Sequence, residues 1–221
     1  MGVKIMSNTA KRILATIMLL AILWGIVVLE SHGYHATRWV AVLVVLGMIL
    51  EVVLAIKRAP NDLLKKRNNT LIFVGFLAWL LVVLAAAYCV GVRQWIMLLL
   101  LMIISAADIG AWFFGSLFGN DKLWERISPN KTWVGQIAGI MCGTAASVLY
   151  GMLGTDTFLP QLLWIGISVS LLSQYGDLTT SWIKRHFKLK DFGSIIPGHG
   201  GFLDRFDGWI YALPLIWFIM M

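Results

Sequence analysis

The segment GDLTTSWIKRHFKLKDFGSIIPGHGGFLDRFD, from Gly176 to Asp207, decides how the whole chain is read. It holds Asp177, Asp191, Asp204 and Asp207, the cations Lys184, Arg185, Lys188, Lys190 and Arg205, and His199. Gly193, Gly198, Gly200 and Gly201 crowd its second half. Apolar runs flank it, so segments that lipid accepts surround one that lipid rejects. Carboxylates are hard oxygen ligands suited to Mg²⁺, Lys and Arg suit phosphate oxygens, and glycine lets backbone come close to a ligand. The combination points to metal-assisted chemistry on a nucleotide.

Composition sets the class. The 221 residues are 59% hydrophobic and 13% charged, against about 25% charged in soluble domains. With a mean hydropathy of +0.82, the sequence is that of an all-α, polytopic integral membrane protein. Cys89 and Cys142 both fall in apolar segments and read as packing residues, not as a disulfide or a thiolate metal site. The net charge of +7 does not signal nucleic acid here, because the cations first have to be placed relative to the membrane.

A hydrocarbon core about 30 Å thick needs roughly 20 apolar residues per helix. Seven runs qualify, at about 12–30, 38–56, 70–90, 94–118, 132–152, 160–183 and 206–221. The first follows Lys4, Lys11 and Arg12 but is long and lacks a small-residue cleavage site, so a retained span is expected. Sixteen of the eighteen Lys and Arg residues fall on one side of this arrangement, leaving Arg38 and Arg93 on the other. The positive-inside rule then puts the N-terminus and the charged segment in the cytoplasm, in a pattern fitting a bacterial inner membrane. Residues 1–93 are expected to form three motif-free spans, and residues 94–221 a catalytic transmembrane domain.

Polar residues inside spans carry the functional signal, since a charge at the bilayer centre costs about 2.5–3.5 kcal/mol on the insertion scale. Ser170, Ser173, Asp177, Ser181, Lys184 and Lys188 follow steps of three or four and form one stripe. That stripe is expected to line a polar cavity opening to the cytoplasm. Ser105, Asp108 and Trp112 form a weaker stripe, in which Asp108 is either a site residue or a buried partner for a cation. Glu51, near a helix end, is expected to snorkel to the interface. Gly135, Gly139 and Gly143 form a small-residue ladder that reads as close helix packing. The basic loop from Lys57 to Arg67 reads as a topology signal, and Trp39, Trp95 and Trp133 as interfacial anchors.

Beyond Arg185, Gly193, Pro197, Gly198, Gly200 and Gly201 break helix, so Lys190 to Leu203 is expected to be a loop folded against the helix ends. Asp204 and Asp207 stand three apart and are expected on one face at the start of the last helix. If that helix packs beside the sixth, Asp177 meets the pair and the cluster could hold one or two divalent ions. Soluble nucleotide motifs do not compete: GxxxxGK[ST] is absent and Gly198-His199-Gly200-Gly201 does not satisfy GxGxxG.

The run Ser181, Ile183-Lys184-Arg185, Lys190-Asp191, Gly193, Ile196-Pro197, His199-Gly200-Gly201-Phe202, Asp204-Arg205-Phe206-Asp207 resembles the signature of phosphatidate cytidylyltransferases, or CDP-diacylglycerol synthases. Asp108, Gly115, Phe118-Gly119, Ser128-Pro129, Lys131-Thr132, Ser173-Gln174 and Gly176-Asp177-Leu178 are similar to other blocks of that family. The resemblance covers roughly Ser105 to Asp207.

It implies Mg²⁺-dependent transfer of CMP from CTP to phosphatidate, yielding CDP-diacylglycerol and pyrophosphate, by a polytopic helical protein that is commonly a homodimer. Asp177, Asp204 and Asp207 would hold the metal. Lys184, with these acids, would be catalytic. Ser181, Arg185, Lys190, Arg205, Lys131, His199 and the backbone of Gly198, Gly200 and Gly201 would bind the substrates. Family members usually carry Glu where this chain has Val134 and Thr180, and both replacements remove a carboxylate. Two other readings stay open: cytidylyltransfer to a different lipid phosphate, and a non-catalytic membrane relative.

Overall fold

The computed structural model describes residue 25 and residues 28–30, 32–60, 67–153, 159–193 and 201–221. The expected first span and the positions of Lys65, Lys66, Gly198, His199 and Gly200 lie outside the described residues, apart from the end of that span. The remainder is helical and polytopic. Helix α1 is Ala36–Arg58, α2 Arg67–Val90, α3 Gln94–Phe118, α4 Trp133–Met152, α5 Leu159–His186 and α6 Trp209–Met220.

Helices α1 to α4 are long and apolar enough to cross a membrane. Helix α5 is the longest of the described helices at 28 residues, or about 42 Å at 1.5 Å per residue. Its polar stripe keeps it out of that apolar set. Helix α6, at 12 residues, reaches only about 18 Å.

Helix α3 packs on α4, α4 on α5, α1 on α2, and α6 on both α2 and α5. The glycine ladder explains the closest of these approaches. A Cβ at Gly135, Gly139 or Gly143 would press on the carbonyl oxygens of Ala111, Ala107 and Ile103 in turn. The contact thus steps down α3 by four residues as it steps up α4 by four, which is close packing of two antiparallel helices through small residues. Gly139 and Gly143 also leave room for Gln174 and Ser170 of α5.

Pro214 lies inside α6. Having no N–H, it leaves the carbonyl of Ile210, one turn earlier, without its helical donor. Trp79 of α2 supplies one: its Nε1–H donates to Ile210 O at 3.0 Å. The aromatic pairs Phe73–Phe187 and Phe76–Phe192 fasten α2 to the end of α5 and the segment after it.

Contacts gather the cation-rich ends at one end of the bundle. Arg58 donates to Phe192 O, Asn69 pairs with His186 at 2.9 Å, and Lys131 reaches α5. Arg38 lies at the opposite end, its guanidinium 4.5 Å from the Tyr88 ring centroid, and Arg93 precedes α3. Arg58 and Lys131 thus lie at the end of the bundle away from Arg38.

Between α3 and α4 the chain makes a hairpin that the span reading does not anticipate. Strand β1, Lys122–Trp124, pairs antiparallel with β2, Ser128–Thr132. Thr132 then caps α4, its Oγ1 accepting from Gly135 N at 3.1 Å, a normal way to satisfy a first-turn donor.

Candidate active site

At that same end, α3, β2, α4, α5 and the turn before α6 enclose a cavity of about 430 Å³. Its walls bring together four carboxylates, Asp108, Asp177, Asp204 and Asp207, and three cations, Lys131, Lys184 and Arg205. Ser128, Asn130, Gln136 and Gln174 add neutral polar groups.

Local structure sets each side chain. Asp177 sits on the stripe of α5, where Ser181, one turn on, donates to its Oδ1 at 3.2 Å. The hairpin projects Lys131, whose Nζ is 2.6 Å from the other oxygen of Asp177 and 3.5 Å from Gln174 O. One helical step further, Lys184 Nζ lies 2.8 Å from Asp204 Oδ1. The second oxygen of Asp204 accepts from Phe192 N at 3.1 Å and Gly201 N at 3.3 Å. It therefore ties both flanks of the 194–200 segment to Lys184.

Asp207 accepts from Gly208 N at 2.8 Å and from the Thr180 hydroxyl at 3.3 Å. Gly176 makes this possible, because any Cβ there would collide with the Asp207 carbonyl. Burial, and then the neighbouring Asp177 carboxylate, push the Asp207 carboxyl well above the usual carboxylate range, while Lys184 opposes them. The cavity holds more carboxylates than cations, a balance that favours an added cation.

Among the described residues, no three His, Cys, Asp or Glu side chains form a ready metal cage. Magnesium rarely needs one, since it is commonly held by one or two carboxylates together with substrate phosphate and water. Asp177 and Asp207 are hard oxygen donors lining one cavity, and this set fits such an ion.

The structure brings Asp177, Lys184, Asp204, Asp207, Arg205 and Lys131 together around one cavity, and gives Asp108 a place in its wall. Several expectations change in detail. Asp204 and Asp207 do not open the last helix: α6 begins at Trp209, and they occupy consecutive turns marked by bonds from Arg205 N and Phe206 N to Phe202 O. Ser181 is buried beneath Asp177. Arg185 and Lys190 are exposed and stand outside the cavity wall. Lys188 falls beyond the end of α5, at φ 56°, so the stripe ends with Lys184. Gly201 contributes its N–H to Asp204. Gly198, His199 and Gly200 lie outside the described residues.

Glu51 does not snorkel. It is fully buried, and its Oε2 accepts from Leu203 N at 3.0 Å. The wall residues Asn130, Gln136 and Gln174 are not singled out as site residues in the sequence. Their signal is an amide group within or just before an apolar run, at the same end as the charged stripe.

A membrane-embedded helical bundle with an acid- and lysine-lined cavity at its charged end suits chemistry on phosphate esters. The profile of the cytidylyltransferase family matches residues 3–221, and this chain belongs to that family. It is similar to the phosphatidate cytidylyltransferase of Staphylococcus epidermidis, 46% identical over 118 residues, which cover 52% of this chain and 45% of that protein. The phosphatidate cytidylyltransferases of Staphylococcus saprophyticus and Staphylococcus aureus are 45% and 44% identical over 116 and 117 residues, with the same coverage of each chain. The match thus spans a little under half the length of these curated relatives.

Proposed function

We propose that this protein transfers CMP from CTP to phosphatidate at the cytoplasmic face of a bacterial inner membrane. The observation that carries the reading is the convergence of Lys131–Asp177 and Lys184–Asp204 on one cavity that Asp207 and Arg205 also line.

In the reaction, an anionic phosphate oxygen of the lipid attacks the α-phosphorus of CTP. A new P–O–P bond forms, the bond to the bridging oxygen of the β-phosphate breaks, and its electron pair leaves with pyrophosphate. The lipid oxygen is already ionised at neutral pH, so no side chain has to act as base. Lys131 and Lys184 take up phosphate oxygens and neutralise charge that builds on the leaving group. Asp177 and Asp204 orient those two ammonium groups, and Ser181 fixes Asp177. Arg205 offers a planar, permanently charged fork for a second phosphate. A Mg²⁺ ion held by Asp177 and Asp207, when bound, would polarise the α-phosphate and offset the charge of pyrophosphate.

The test is a CTP-dependent assay on purified protein with phosphatidate and Mg²⁺. Formation of CDP-diacylglycerol that disappears in Asp177→Asn supports the reading. Full activity in Asp177→Asn, or no turnover in the unmodified protein, refutes it.

A further inference from the structure

Helix α1 lies in the half of the chain that carries no motif, yet it places a carboxylate against the segment that carries the signature. Glu51 is wholly buried, with Oε2 accepting from Leu203 N at 3.0 Å and Oε1 buried without a hydrogen-bond partner among the described residues. Gly193 and Gly201, at the two flanks of the 194–200 segment, both lie against this one carboxylate, and a Cβ at either would run into it. One turn earlier on α1, Gly47 accommodates the ring of Phe202. From the other side, Asp204 holds Phe192 N and Gly201 N while pairing with Lys184. Two acids on different elements thus grip the same neck of chain, and only one of them faces the cavity.

A half-satisfied buried carboxylate is a costly group to keep in an apolar helix unless its position matters. We infer that Glu51 is a positioning residue: it fixes the neck formed by Phe192, Gly193, Gly201 and Leu203, and through Asp204 it sets where Lys184 points. This inference rests on the proposed cytidylyltransfer. Misplacing a charged group by a fraction of an ångström affects the transition state more than lipid binding. The consequence belongs in kcat, with KM for the lipid unchanged.

The experiment compares Glu51→Leu, Glu51→Gln and Gly193→Ala in the full chain, with kcat, KM for each substrate, thermal midpoint in detergent and the rate of tryptic cleavage after Lys190. Glu51→Leu is expected to lower kcat by about tenfold or more, leave lipid KM and midpoint in place, and speed cleavage. Glu51→Gln keeps an acceptor for Leu203 N and is expected to recover most of the loss. Gly193→Ala, which pushes on the carboxylate from the loop side, is expected to repeat the kcat defect if the leucine variant does not fold. Wild-type kcat in Glu51→Leu or Gly193→Ala overturns the inference, as does a glutamine variant no better than leucine. If the unmodified protein does not turn over CTP, the proposed reaction fails and the cleavage rates decide alone: equal rates in all variants overturn the positioning role.

Discussion

Lys131 Nζ and Asp177 Oδ2 stand 2.6 Å apart, joining a short hairpin to the last third of α5. The hairpin is the only element that brings a cation across to Asp177 at this distance among the described residues. Replacing Lys131 by Met keeps the length of the side chain and removes the charge. The expected outcome is a fall of about 10²–10³ in kcat, the usual cost of losing one preorganised charge donor at a reacting group, measured as initial rates of CDP-lipid formation.

Lys184 and Asp204 are expected to act as a unit. Lys184→Met and Asp204→Asn should each lower the rate strongly, and the double variant should be little worse than the poorer single one, because groups in contact do not add. A double-mutant cycle on kcat/KM checks this. Additive losses would show that the 2.8 Å contact does not organise the two groups.

The two positions where family members usually carry Glu are not equivalent in the structure. Thr180 is fully buried and bonded to Asp207, whereas Val134 is exposed and absent from the cavity wall. Thr180→Glu should abolish activity by crowding a second acid onto Asp207, and Val134→Glu should leave the rate within about twofold, as expected of a surface change. Parallel assays of the two proteins decide it.

Trp79 and Pro214 make a prediction about stability. Trp79→Phe leaves Ile210 O without a donor, which costs about 1–3 kcal/mol for a buried group. Pro214→Ala restores an N–H within α6, so the double variant should regain part of what the single one loses. Thermal midpoints of the four proteins in one detergent test the coupling. Equal effects of Trp79→Phe in both backgrounds would sink it.

The glycines separate by environment in the same way. Gly143→Ala meets the hydroxyl of Ser170 and the carbonyl of Ile103, while a Cβ at Gly75 meets nothing within 4 Å. The midpoint should fall in the first and hold or rise in the second, since alanine is the better helix former.

The site was legible where its chemistry lies on one element. Asp177 and Lys184 betray themselves by a polar stripe in an apolar helix, and Asp204 and Asp207 by their spacing beside glycine. The burial of Glu51 is not legible, because helical spacing shows which face a residue occupies and not what covers that face, and its partner Leu203 lies far along the chain. The hairpin escaped for a different reason: its strands are three and five residues long, too short for an alternating pattern to emerge beside Pro129. The start of α6 is hidden because the apolar run begins at Phe206, whereas the backbone first makes the turns that carry Asp204 and Asp207 and enters the helix at Trp209.

The order of the helices along the chain has a consequence for biogenesis. Helix α5 carries Asp177 and a row of serines and is the least suited of the long helices to stand alone in lipid. Its receptors, α3 and α4 with their glycine ladder, are synthesised before it. Lys131 and the glycines that receive Gln174 and Ser170 therefore precede α5 in the chain, and burial against them spares its acid the cost of facing acyl chains alone.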